Sequence, residues 1–218
     1  MIRRSTIIFA LASLIAFGSL LLYAHRLSEK AQQLVRVSYE LSERKQPPTV
    51  ADIKERFGNR IKQAECNGSE CEYTVFLSNR VLAALHIVPY TQMESQFWTK
   101  DRVVLMNMVN YTTTTDNRHS VVSHVQIDFC EGCRTFAIHP WDAASPKDTN
   151  GIIQIGNEAS AQSRRTVLAL NTGCLTKFGG CESIADLLPT VWKQTADKKI
   201  VCAVENDRGF VQKPANWP

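Results

Sequence analysis

Residues 103–129 read VVLMNMVNYTTTTDNRHSVVSHVQIDF. Two runs rich in β-branched and apolar residues, Val103–Thr114 and His119–Phe129, flank the polar triplet Asp116-Asn117-Arg118. That pattern predicts a β-hairpin. It also sets the class of the whole chain, because the other strand candidates follow one another instead of alternating with helices. Glu72–Leu77 alternates, with Tyr73, Val75 and Leu77 on one side. Val81–Val88 is a mostly apolar run that fits a buried strand or a helix turn, with the strand preferred. Arg134–His139, Ile152–Ile155, Thr166–Leu170 and Lys199–Val204 are shorter candidates. Consecutive strands predict an α+β fold with a mainly antiparallel sheet, not a βαβ fold.

Helices and loops fill the rest. Thr49 is placed to cap the helix VADIKERF, with Asp52 at the capping-box position and Gly58 as its stop. Glu182–Thr195 reads as a second soluble helix, with Ser183 and Asp186 forming the same box and Pro189 predicting a kink. Residues 141–150 and 157–165 read as loops, which places Trp141 in a loop; Trp98 is also read as a loop residue. The polar residues 206–218 read as a loosely packed tail.

Upstream lies Ser5–Ala24, STIIFALASLIAFGSLLLYA, twenty residues without a charge between Arg3-Arg4 and His25-Arg26. A helix of that length spans about 30 Å, the thickness of a bilayer's hydrocarbon core. The apolar run is long for a cleaved signal, and Leu22-Tyr23-Ala24 puts leucine where a small residue is wanted for cleavage. The expectation is a signal anchor contacting the lipid bilayer through residues 5–24, with residues 1–4 as a cytoplasmic tail. Residues 25–46 continue as helix: Leu27, Ala31, Leu34, Val35, Ser38 and Leu41 recur at three- and four-residue spacing, giving a helical stalk with one stripe for the domain. Pro47-Pro48 ends it. The domain itself is expected over residues 49–205.

Seven cysteines are present. Cys66 and Cys71 bracket an Asn-Gly turn, so a hairpin there would bring their Cα atoms within disulfide range. Cys130-Glu-Gly-Cys133 can close its own ring. Cys174 and Cys181 flank a stretch ending in Gly179-Gly180, which permits a sharp reversal; Cys202 is left over. Beside an anchor, close pairing reads as disulfides of an exported domain. The cysteines therefore choose the extracytoplasmic side, where the nearly balanced flanking charges do not.

Charge and motif content exclude several classes. The net charge is +4, and Arg3 and Arg4 carry two of those charges, leaving +2 beyond the apolar run. That small, scattered excess does not indicate a nucleic-acid partner. There is no P-loop, no dinucleotide fingerprint, no G-x-S-x-G and no HExxH, and no cofactor is implied. Chemistry concentrates on Val122–Cys133. On a strand, Val122, His124, Gln126, Asp128 and Cys130 share one face, an imidazole and a carboxylate leading to a Cys-x-x-Cys. Either group can govern thiol ionisation, so Cys130 and Cys133, tuned by His124 or Asp128, form a candidate redox dithiol. The strand-then-CxxC order superficially resembles thioredoxin-like domains, but the motif follows Phe129 at once, and RTFAIHPW after it reads as strand, not helix. Zinc through Cys130/Cys133 with Cys174/Cys181 meets an obstacle, since six residues separate the second pair. The leading expectation is a non-enzymatic, single-pass protein of the cell membrane whose extracytoplasmic domain binds or scaffolds an envelope protein partner. A tethered thiol-disulfide oxidoreductase and a zinc-dependent hydrolase are the alternatives.

Overall fold

The computed structural model describes residues 4–114, 120–129, 138–139, 150–155, 160–177, 180–189, 204–205 and 211–212. In chain order the elements are α1 (Arg4–Ser42), α2 (Val50–Phe57), β1 (Ile61–Asn67), β2 (Glu70–Ser78), α3 (Arg80–Ala84), β3 (Tyr90–Lys100), β4 (Val103–Thr114) and β5 (Ser120–Asp128). They are followed by β6 (Ile138–His139), β7 (Asn150–Ile155), α4 (Ala161–Val167), α5 (Ile184–Leu187), β8 (Val204–Glu205) and β9 (Val211–Gln212). The architecture is α+β. Strands β1 to β5 pair antiparallel in sequence order; β7 joins β5 in parallel, and β6 closes the order β1-β2-β3-β4-β5-β7-β6. A separate ribbon pairs β8 with β9.

Strand alternation gives the sheet one buried face. Tyr73, Val75 and Leu77 of β2 lie on it, as do Met93 and Phe97 of β3, Val104, Val109 and Tyr111 of β4, and Val121, Val125 and Ile127 of β5. The helices cover it. From α1 come Leu27, Ala31, Leu34, Val37, Ser38 and Leu41, and from α2 come Val50, Ile53 and Phe57. The segment after α4 adds Leu168, Leu170, Cys174 and Leu175. Phe57 meets Phe97 with ring centroids 5.7 Å apart.

One helix serves two surroundings. In α1, Ile7 to Leu22 is apolar yet exposed, with Phe9 at 75% and Leu22 at 51%, and its mean hydropathy reaches 2.3. From Leu27 onward the same helix supplies the core stripe that the three- and four-residue spacing predicted, except that Val37 is buried and Val35 only partly so, and the helix ends at Ser42 rather than at Gln46. Tyr23 marks the change: its hydroxyl donates to the Ser78 carbonyl at 3.3 Å. At the other end of the core stripe, the Val104 amide donates to the Pro48 carbonyl at 2.7 Å and the Val50 amide to the Arg102 carbonyl at 2.9 Å. The sheet therefore has a near end, where β2 finishes beside Tyr23, and a far end, where β1 turns into β2.

Two local expectations hold at the far end. Thr49 and Asp52 form a reciprocal capping box, and Gly58 ends α2 at φ 55°. Cys66 and Cys71 face each other across the hairpin in a disulfide with Cα atoms 4.1 Å apart. Cys174 and Cys181 are also joined, Cα to Cα 5.4 Å, and both are fully buried. Cys130, Cys133 and Cys202 lie outside the described residues.

Other expectations are corrected. Tyr90–Lys100, read without a strand, is β3, paired along its length with β2 and β4, so Trp98 belongs to a strand and not to a loop. Its core-facing residues Thr91, Ser95 and Thr99 are small and polar, which hides the alternation. Val81–Val88 is not a strand; α3 and a turn through His86, at φ 54°, occupy it, with only Leu82 and Val88 buried. Thr166–Leu170 is not a strand either. Helix α4 runs through the polar residues 161–165, read as loop, and Thr166, Val167 and Leu168 bury consecutively as it ends. Within Glu182–Thr195 the helical turn is Ile184–Leu187, opened by Ser183 and Asp186 as expected: the Asp186 amide donates to Ser183 Oγ at 3.3 Å and the Ser183 amide to Asp186 Oδ2 at 3.2 Å. Residues 141–149, 156–159, 190–203 and 213–218 lie outside the described residues, as does the triplet Asp116-Asn117-Arg118.

Candidate functional site

The second face of the sheet carries His124 and Asp128, the residues singled out for chemistry that the structure describes. Burying Val121, Ser123, Val125 and Ile127 turns the intervening Val122, His124 and Gln126 to the opposite side. Register then builds rows across the strands. Phe76, Glu94, Asn110 and His124 form one row; Thr74, Gln96, Met108 and Gln126 the next; Glu72, Trp98, Met106 and Asp128 the third.

Within these rows the amides organise the titratable groups. His124 Nδ1 lies 2.7 Å from Asn110 Oδ1, and Asn110 Nδ2 donates to Gln96 Oε1 at 3.1 Å. With the Asn110 oxygen accepting, Nδ1 of the imidazole carries the proton and Nε2 is the ring's acceptor. Burial lowers the His124 pKa below the ordinary histidine value, which favours the neutral ring at pH 7. Asp128 is buried and accepts from Gln126 Nε2 at 2.9 Å.

His124 and Asp128 do not form a dyad. They lie four positions apart along β5, about 13 Å of strand, and each has its own amide partner. The structure thus joins His124 to Asn110 and Gln96, and Asp128 to Gln126. Sequence reasoning named His124 and Asp128 but missed Asn110, which reaches His124 from β4, and Gln96, which accepts from Asn110 on β3. The available signal was the spacing of Asn110 on β4; its register against His124 needed the structure. Near the β1–β3 edge, Glu72 has its pKa raised by burial and by the like charges of Glu94 and Glu65.

Chemically, this face offers hydrogen-bonding amides, one neutral imidazole, and half-buried Trp98, Met106 and Met108 beside an exposed Phe76. Such a mixed surface suits contact with another macromolecule. Among the described residues, no group of three or more histidine, cysteine, aspartate or glutamate side chains is placed to hold a metal ion. A separate open groove of ≈ 280 Å³ lies between α1 and α4, where Arg165 Nε donates to Tyr39 Oη at 2.9 Å and the guanidinium sits 5.8 Å from the ring centre. No protein-family model, curated protein or solved structure matches the chain.

Proposed function

We propose that the chain is a single-pass membrane protein with its N-terminus in the cytoplasm and an extracytoplasmic domain that binds or scaffolds a partner in the cell envelope. The observation that carries this reading is α1. One unbroken helix passes from a charge-free, solvent-facing apolar half into a half that is part of the domain core. An exposed apolar surface of that length is costly in water and favourable in hydrocarbon. Two disulfides support the exported side, because such bonds persist in oxidising compartments. The mixed face around Trp98, Met108 and His124 is the surface offered to a partner.

The test uses the full-length chain in sealed membrane vesicles. Alkaline carbonate is expected to leave it in the membrane, and protease is expected to digest the domain only from the extracytoplasmic side. Release by carbonate overturns the anchor, and digestion from the cytoplasmic side overturns the orientation. For the binding surface, a photo-crosslinking residue at position 108 is expected to give one discrete protein adduct, absent with the crosslinker at the exposed position 55. Equal labelling at both positions sinks the assignment of that face.

A further inference from the structure

We propose that α3 and its flanking turn form a second, peripheral membrane contact, an apolar foot that rests on the headgroup layer of the bilayer. This inference rests on the anchor reading above. Its starting point is the placement of exposed apolar side chains. Apart from the first half of α1, the exposed large hydrophobics among the described residues are Phe76 at 47%, Val81 at 46% and Leu85 at 53%. All three lie at the near end of the sheet, within eight residues of Ser78, whose carbonyl accepts from Tyr23 at the last turn of the apolar run. At the far end no such side chain is exposed among the described residues.

Spacing gives α3 a sided character. Val81, Ala84 and Leu85 recur at three and four residues and are all exposed, while Leu82 between them is buried. A short helix that exposes its apolar stripe needs a rigid base, and Asn79 supplies it. Fully buried, Asn79 accepts from the Thr91 amide at 2.8 Å and donates to the carbonyls of Pro89 at 2.8 Å and Leu175 at 3.0 Å. This ties both ends of the 79–91 segment to each other and to the turn that precedes the Cys174–Cys181 reversal. Gly180, at φ 70°, packs so closely on Pro89 that an added Cβ would meet its ring at 2.8 Å. The foot is therefore held in place, with its apolar side facing outward.

Continuity and charge identify the occupant as lipid. The stripe lies beside the point where α1 changes from exposed to buried, so a bilayer that takes Ile7 to Leu22 brings its headgroup layer to this level. Arg80, at the start of α3, and Lys177, two residues beyond Leu175, are exposed at the same end. Basic side chains beside an apolar stripe are the composition of interfacial helices on anionic membranes.

The full-length chain would be reconstituted in vesicles of phosphatidylethanolamine and phosphatidylglycerol, with a diazirine-bearing leucine analogue placed at position 85, at Ile15 or at Glu55. Lipid adducts are read by mass spectrometry after illumination. The expected result is strong adduct formation at 15 and 85, with at least tenfold less at 55. Adducts at 15 with no more at 85 than at 55 overturn the foot and leave the anchor standing. Absence of adducts at both 15 and 85 overturns the anchor and the foot together.

Discussion

At the far end of the sheet, the reversal from β1 to β2 is closed by Cys66–Cys71 in an exposed hairpin, and α2 begins on the Thr49–Asp52 box, with Asp52 paired to Arg44. At the near end, Cys174–Cys181 is wholly buried, and Asn79 joins three backbone groups, one of them 96 residues away. The far end's capping box and hairpin disulfide lie in reach of water, beside longer-range backbone bonds from Val104 to Pro48 and from Val50 to Arg102. The near end's disulfide and Asn79 bonds lie out of water, and of the Asn79 bonds the one to Leu175 spans a long stretch of chain. A hydrogen bond or disulfide that is out of water cannot be replaced by solvent when it breaks, so equal chemistry carries unequal consequences at the two ends.

The largest expected effect lies at the near end. Asn79→Ala removes three hydrogen bonds and takes the side-chain partner from the buried Thr91 amide and the Leu175 carbonyl, while the Pro89 carbonyl keeps the Thr91 hydroxyl, a loss of about 4 kcal/mol in denaturant unfolding of the full chain. A loss below about 1 kcal/mol would show that the segment does not depend on this side chain. Next comes the paired change Cys174→Ser with Cys181→Ser. Loop closure alone is worth about 2.5 kcal/mol by chain entropy, and burying two hydroxyls raises the expected loss to about 3 kcal/mol or more.

Cys66→Ser with Cys71→Ser tests the other side of the comparison. Its shorter loop predicts about 2 kcal/mol at most, with no added burial cost in an exposed hairpin. The two bonds also differ in access. Mild reductant followed by alkylation and mass mapping is expected to label Cys66 and Cys71 first, and Cys174 and Cys181 only as the domain unfolds. Simultaneous labelling would erase the distinction between the ends.

The smallest effect is electrostatic. Hydrogen bonds from the Thr49 backbone and side chain, and then from Arg44, hold the Asp52 carboxyl at a pKa of about 2, below its ordinary 3.8. A depressed carboxylate pKa contributes stability that is fully present above the unfolded value and lost as pH falls from near 4 to near 2. Because water screens this partly exposed box, Asp52→Asn is expected to cost only ~1 kcal/mol at pH 7. Wild type and variant should converge as pH approaches 2. A constant difference down to that pH would assign the effect to helix capping geometry alone.

The same contrast explains what could be read from the sequence. Thr49, Asp52 and Gly58 form a signal within ten residues, and Cys66 and Cys71 enclose their own turn, so the far end was legible. So was the strand Val103–Thr114, where β-branched and apolar residues dominate. The central strand β3 was not, because Thr91, Ser95 and Thr99 replace the apolar residues that usually mark a core face. Residues 81–88 misled for the opposite reason. Their apolar side chains suggest a buried strand, yet Val81 and Leu85 face outward, and the determinant is Asn79, whose partners at 89, 91 and 175 no local window contains. At the candidate site, strand alternation placed His124, Gln126 and Asp128 on one face correctly. The amide relay through Asn110 and Gln96 depends on the register of three strands, which periodicity does not specify.

One consequence of α1 concerns angle. No loop or proline interrupts it between Arg4 and Ser42, so it acts as a keyed shaft. Each residue of an α-helix advances the chain by 1.5 Å and turns it by about 100°. Adding a single residue between Gly18 and Leu22 would leave the domain intact, yet swing it a quarter-turn or more about the shaft relative to whatever grips residues 5–18. The azimuth of the sheet face bearing Trp98 and His124 is thereby written into the residue count of the helix.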